Sequence, residues 1–290
     1  MILTVLAVFL RIFSIPLSNV FQKQLTGRGS EPLWVNFVSY LMLSVAMLAV
    51  LPMMMIRSHL PFEFWLYSVI GGIFGALGNG CMIKALQKGD LSVLGPVNAY
   101  KAVVGLILGV FLLGEIPGLW GLLGVGLIVF GSYFVLDTVE ERFSPALFRR
   151  KEIQYRIAAM VLTAIEAIFL KKVILLSSPL MSLATWCWFG CLFSFVLLLT
   201  FGVKIRVESR KITIADLQKY LCLVVCIGSM QFFTNFVFER MPVGYALSLF
   251  QLSAIVSILL GYKIFHETNI RKKILGAAIM IAGSVVIIVV

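Results

Sequence analysis

A lysine, Lys101, stands alone among charged side chains between residues 91 and 113, in the run GPVNAYKAVVGLILG (95–109). A glutamate, Glu166, is similarly isolated in AAMVLTAIEAIFLKK (158–172), and an arginine, Arg11, in MILTVLAVFLRIFS (1–14). The other twelve of the thirteen acids fall in loops or near helix ends, and among twenty-four bases only Arg11 and Lys101 sit well inside apolar runs. An ammonium or a guanidinium in such a place binds a carboxylate or a phosphate, the guanidinium bidentately. A buried carboxylate beside a lysine either fixes that lysine or exchanges a proton with it. Each charge at the centre of a bilayer costs roughly 2.5–3.5 kcal/mol on insertion scales, so each needs a partner or water. The purely structural alternative is a Lys101–Glu166 pair that pins two helices, whose breaking would cost several kcal/mol.

Neutral polar residues recur near these charges at helical spacing. Asn98, Lys101, Gly105 and Gly109 share one stripe, and Arg11, Ser14, Ser18 and Gln22 another. Gln231, Thr234 and Asn235 fall together, as do Gly244, Ser248 and Gln251, while Asn79 lies in the glycine-rich GGIFGALGNG (71–80). These stripes point to a polar site at mid-membrane. Lys101, Asn98 and Arg11 would meet an anionic group, Asn79, Asn235, Ser248 and Gln251 would supply neutral hydrogen bonds, and Glu166 would be a charge partner or proton carrier. Two cations against one anion favour a negative or zwitterionic ligand. The main alternative is an organic cation bound at Glu166, against which the nearby lysine argues.

Enzymatic chemistry finds little support. His59 and His266 fall at membrane boundaries, and no acid/base, nucleophile or metal constellation converges. Cys187/Cys191 and Cys222/Cys226 are spaced i, i+4, but small buried thiols explain them better than a soft-metal site. No cofactor and no metal are expected, and an intramembrane lipid-modifying or assembly protein is the least favoured alternative. Pro16 and Pro96 each free a backbone carbonyl and are expected to interrupt their helices.

The elements that carry these residues follow from composition. Of 290 residues, 61% are hydrophobic and 13% charged, and mean hydropathy is +1.04. Soluble chains run nearer one quarter charged. Ten apolar stretches are long enough to span a bilayer: about 2–23, 33–56, 64–86, 91–114, 118–137, 155–174, 179–203, 217–238, 243–265 and 272–290. Backbone polar groups must pair within lipid, so these are helices, and the chain reads as an all-α polytopic membrane protein. The net charge of +11 does not imply nucleic acid, because no basic folded domain exists to bind it. Membrane lipids and a small-molecule substrate are the expected partners. Monomer and homodimer stay open.

An ungapped shift of 152 residues lays 91–136 on 243–288. Ala102 meets Ala254, Gly109 meets Gly261, Glu115 meets Glu267, Gly124 meets Gly276, and Gly131-Ser132 meets Gly283-Ser284. Lys101 meets Ser253, so the ammonium belongs to one half only. The chain therefore divides into a first five-helix repeat (1–137), a connection (138–154) and a second five-helix repeat (155–290). Because five is odd, the second half must cross the membrane in the opposite sense, as in secondary transporters.

The helices ending in LLGE (112–115) and IFHE (264–267), each followed by a short turn and a Gly-rich helix, together with the duplication, resemble the EamA-type drug/metabolite transporter superfamily. That resemblance implies a carrier with a central cavity between the halves, lined by the first four helices of each. It also implies cytoplasmic termini. Charge disagrees: the odd-numbered connections carry eighteen Lys and Arg, from Lys23 and Arg28 through the 142–156 group to Lys273, against four in the even-numbered ones. The positive-inside rule then puts the odd loops in the cytoplasm and the termini outside. A multi-pass protein of the bacterial inner (plasma) membrane is the expectation.

Overall fold

The computed structural model describes residues 2–52, 60–101, 104, 119–136, 149–241 and 243–289, and all regular structure among them is helical. The first half contributes α1 (Ile2–Gly27), α2 (Pro32–Ala46), α3 (Phe62–Lys88), α4 (Leu91–Leu94) and α5 (Leu119–Leu136). The second contributes α6 (Lys151–Leu176), α7 (Pro179–Thr200), α8 (Ile205–Lys211), α9 (Ile214–Arg240), α10 (Val243–Phe250), α11 (Ser253–Phe265) and α12 (Ile270–Val289). By length and apolarity, α1, α2 with its 3₁₀ extension, α3, α7 and α9 can cross a bilayer, while α5 and α11 are shorter apolar helices. Their starts have local causes. Pro32 and Pro179 fill first-turn positions where no amide hydrogen is needed. Glu31 and Ser178 accept from the open amides of α2 and α7, and Thr213 forms a capping box with Asp216 on α9. The exposed faces are greasy, with Phe9 and Phe13 on α1, Leu122 and Phe130 on α5, and Leu221 and Val225 on α9.

Two expected spans are broken. The 91–114 stretch forms α4, then Gly95, then a 3₁₀ turn over Pro96–Ala99, because proline has no amide hydrogen to continue the ladder. The 243–265 stretch is also divided, at Gln251-Leu252, where Leu252 donates to the Leu249 carbonyl (3.2 Å) and Ala254 to that of Gln251 (2.9 Å) in tightened turns. No proline or glycine marks that second break. Pro16 does the reverse of what its type suggests and lies inside an uninterrupted α1. The 3₁₀ turn also takes Asn98 off the α-helical stripe expected for it, and Gly105, Gly109, Glu115 and His59 lie outside the described residues.

Every major helix packs on a helix of the other half: α1 along α9, α3 along α6, α2 on α7, α4 on α11 and α5 on α12. The 152-residue offset equates α1 with α6 and α3 with α9, so it carries the first of these pairs into the second. The α5–α12 crossing shows the relation atom by atom. A methyl group added at Gly276 would lie 2.5 Å from the Gly131 carbonyl oxygen, and one added at Gly283 would lie 2.7 Å from that of Gly124. Offset by 152, Gly124 is the counterpart of Gly276 and Gly131 of Gly283. The two contacts are therefore one contact seen from both sides, and the helices run antiparallel. Only glycine lets the backbones approach this closely.

Candidate functional site

A cavity of about 120 Å³ lies between the halves. Helix α1 lines it with Arg11, Ser18, Asn19 and Gln22, and α3 with Asn79. Lys101 enters from beyond the α4 break, and α6 presents Arg156, Thr163 and Glu166. Trp186 of α7, Gln231 and Thr234 of α9, and Ser253 and Ser257 after the second break complete the polar part of the wall, with Phe250 beside them. Four of the sequence-derived residues, Arg11, Asn79, Lys101 and Glu166, are thus brought together although they come from four different elements.

Glu166 is buried, and its carboxylate accepts from the Trp186 indole Nε1 at 2.5 Å. The Trp186 ring leans on Tyr40, with centroids 4.7 Å apart, and the Tyr40 hydroxyl accepts from Asn79 Nδ2 at 2.6 Å. A continuous network therefore runs from α6 through α7 and α2 to α3. Among the described residues no ion pair joins Glu166 to Lys101, although Glu166, Arg11 and Arg156 all act electrostatically on the lysine.

Arg11 is 5% exposed. Its guanidinium lies over the Phe250 ring, 3.9 Å from the centroid, and Nη1 makes a long 3.4 Å bond to the Phe250 carbonyl. That carbonyl, freed by the break, already accepts from Ser253 Oγ at 2.7 Å, and Arg11 Nε has no partner. Ser253, the counterpart of Lys101, is thus consumed in closing a helix end. Arg156 plays the matching part at the first break, where its Nε donates to the Leu94 carbonyl at 2.7 Å and its Nη1 reaches Met82 Sδ. The sequence grouped Arg156 with the basic connection. It lies instead in the second turn of α6 and is 6% exposed. Its only sequence signal is a position at the edge of an apolar run.

Other expected residues fall elsewhere. Asn235 is fully buried behind the wall, where it donates to the Pro179 carbonyl (3.0 Å) and accepts from Gln231 Nε2 (3.0 Å). Gln251 is buried at the second break. Asn98 and Ser248 are described in their backbone only.

Beyond the cavity, the end of the molecule that carries the odd-numbered connections is tied across the halves. Glu267 accepts from the Leu91 (2.8 Å) and Ser92 (2.9 Å) amides at the start of α4 and from the Ser92 hydroxyl, and it pairs with Lys23 of α1 at 3.1 Å. Lys273, 2% exposed, donates to Ser92 Oγ at 2.6 Å. Arg28 pairs with Asp216 at 3.0 Å, and Glu208 accepts from the Glu31 amide at 3.0 Å. Burial works against the Glu267 charge, but the Ser92 donors and Lys23 outweigh it and hold the carboxyl below the usual carboxylate range. Lys23 and Lys273, like Arg156, are therefore not the solvated loop cations that the charge bias assumes.

A solved crystal structure matches with a TM-score of 0.66, covering 98% of this chain and 95% of that one at 15% identity, which is a likeness of fold. No curated protein matches the chain in sequence. The family model described as the EamA-like transporter family matches twice, over residues 2–137 and 150–289, in agreement with the internal repeat. With its apolar helices and its duplicated halves, the chain is a multi-pass membrane protein that belongs to the EamA-like transporter family.

Proposed function

We propose that this transporter is a secondary carrier of ten spans in two inverted five-helix repeats. It moves a small anionic or zwitterionic metabolite, such as an amino acid or a phosphorylated compound, by alternating access. What carries this proposal is the Arg11 guanidinium, buried in the inter-half cavity with Nε unpartnered, where Lys101 also has no ion-pair partner among the described residues. A buried charge without a partner is costly, so a ligand anion is its natural complement. Arg11, Lys101 and, by position, Asn98 meet the anionic group. Asn79 and Gln231 offer neutral hydrogen bonds, Asn235 orients Gln231, and Ser248 and Gln251 flank the broken end that Arg11 touches. Glu166, held by Trp186, is the group that trades a proton during the cycle. The charge bias favours termini outside and odd-numbered connections in the cytoplasm. At about 120 Å³ the cavity is below the roughly 300–1,000 Å³ of drug-sized sites, which suits a small metabolite.

The test is ligand-dependent thermal stabilisation of the purified protein across amino acids, sugar phosphates, nucleosides, choline-like cations and neutral sugars, with Lys101→Ala in parallel. Stabilisation by an anionic or zwitterionic compound that is lost in the folded variant is the expected result. Stabilisation by cations, kept or improved in Lys101→Ala, would move the site to Glu166 and overturn the proposal.

A further inference from the structure

The neutral part of the cavity wall has spent its donors and kept its acceptors. Each of the five hydroxyls among its described lining residues, on Ser18, Thr163, Thr234, Ser253 and Ser257, donates to a backbone carbonyl three or four residues earlier. A hydroxyl whose proton is committed in this way has only lone pairs left to offer. Gln231 is held to the same role by a chain of bonds that can be read in one direction only. The Pro179 carbonyl can only accept, so Asn235 gives it Nδ2 (3.0 Å) and turns Oδ1 the other way. Gln231 Nε2 donates to that Oδ1 at 3.0 Å, which fixes Gln231 Oε1 as the acceptor left on the cavity side. Gln231 is 5% exposed, and no described residue donates to this oxygen. Asn79, its counterpart at the 152-residue offset, also turns its amide nitrogen into the wall, towards the Tyr40 hydroxyl. The end of α1 is tied to the start of α9 by Arg28 and Asp216, and the two helices pack along each other, so they run antiparallel. Arg11 lies seventeen residues before Arg28 and Gln231 fifteen after Asp216, which puts the two within about 3 Å in height.

Resting on the anion-carrier proposal above, we infer that the substrate bears a hydroxyl or an amine beside its anionic group, and that Gln231 is the residue that reads it. Arg11 and Lys101 take the anion, and Gln231 Oε1 accepts from the neighbouring donor at the same height in the cavity. A ligand without that donor strips water from a buried carbonyl oxygen and returns no hydrogen bond. Leaving the acceptor unpaired is expected to weaken binding by at least about tenfold. Gln231 is thus a specificity-determining residue, and Asn235 is a positioning residue that keeps its amide one way round. The two kinds of recognition are distributed differently over the repeat. The ammonium occurs in one half only, as Lys101 against Ser253, whereas an amide side chain stands at the same position in both, as Asn79 and Gln231.

The experiment uses probes that share an anionic group and differ in the donor: propionate against lactate and alanine, and ethyl phosphate against 2-hydroxyethyl phosphate and 2-aminoethyl phosphate. Saturable thermal stabilisation of the purified full chain is measured at fixed pH and ionic strength, in the wild type and in Gln231→Met, Gln231→Glu and Lys101→Ala. The expected result is a preference of at least about tenfold for a donor-bearing probe over its parent in one or both sets. That ratio should fall towards one in Gln231→Met, which keeps the length of the side chain and removes the acceptor. It should be kept in Gln231→Glu, which retains an acceptor oxygen, while Lys101→Ala weakens every member of a set. A merely structural Gln231 would lower the melting temperature without moving the ratio, and a ratio that persists in Gln231→Met overturns the assignment. If the parent anions bind as tightly as their donor-bearing partners, the inference fails while the anion carrier stands. If no anion gives saturable stabilisation, both fail. Should Gln231→Met not fold, the wild-type ratio and its retention in Gln231→Glu decide.

Discussion

Glu166 and Glu267 show how two buried carboxylates on one chain are put to different uses. Glu166 has a single tight donor, the Trp186 indole, and Gly75 is the reason that donor can reach it. A methyl group at Gly75 would lie 2.6 Å from Glu166 Oε1 and 3.2 Å from Trp186 Nε1. Gly75→Ala is therefore expected to cost about 1–3 kcal/mol as an overpacked core position and to loosen ligand binding. Thermal melts with and without ligand would check both. Glu267 is satisfied on all sides, and its carboxyl is held below the usual carboxylate range. With a folded pKa below the unfolded one, its stabilisation is present in full above the ordinary carboxylate range and is lost as pH falls through the folded value. Glu267→Gln should thus be less stable than wild type at neutral pH, by about 3 kcal/mol or more if Lys23 and Lys273 are left uncompensated. The gap should narrow on acidification below about pH 4, as read by melting temperature against pH. Arg11, Lys101 and Glu166 were legible in the sequence because a lone charge in an apolar run has no other ready explanation. Arg156 was not, because the basic connection beside it offers a solvated alternative. The partnership of Glu166 with Trp186 needs the crossing of α6 with α7, which no local spacing encodes.

At the scale of elements, what the sequence announces depends on whether a backbone group is missing. Pro96 removes an amide hydrogen, and the helix stops where that predicts. The break at Gln251-Leu252 removes nothing covalent. It persists because Ser253 Oγ and Arg11 satisfy the Phe250 carbonyl, and only the folded partner α1 brings Arg11 there. Pro16 fails to break α1 because a single missing hydrogen bond costs less than the packing of that helix along α9 returns. Helix α5 and helix α12 depend on glycine in another way, through closeness. Gly276→Leu would drive a side chain into the Gly131 carbonyl and the Val135 and Phe134 side chains. It is expected to destabilise by at least about 1–3 kcal/mol, and Gly131→Leu should do the same from the opposite face. Equal losses in the two melting curves are the expected outcome, and a large inequality would show that the crossing is not shared evenly.

At the scale of the whole molecule, the principal helix pairings run between the halves, α1 with α9, α3 with α6, α2 with α7 and α5 with α12. The internal repeat announces two equivalent units but not which helix meets which, since the pairing α1–α9 and α3–α6 emerges only when both halves are assembled. A chain cut within the 138–148 connection should accordingly yield no stable product from either fragment expressed alone. It should yield a binding-competent complex when both are co-expressed, as measured by co-purification and ligand-dependent melting. The paired glycine contacts of α5 and α12 carry one more implication. A contact in which Gly124 meets Gly283 while Gly131 meets Gly276 is, residue for residue, what two identical subunits make across an isologous dimer interface. A protein of half this length could use it to form a homodimer, provided that its copies entered the membrane both ways up. Fusing the two copies removes that requirement, because each half can then evolve its own flanking charges and its own fixed orientation. It also frees one copy to place an ammonium at position 101 while the other keeps a serine at 253, which no homodimer could do.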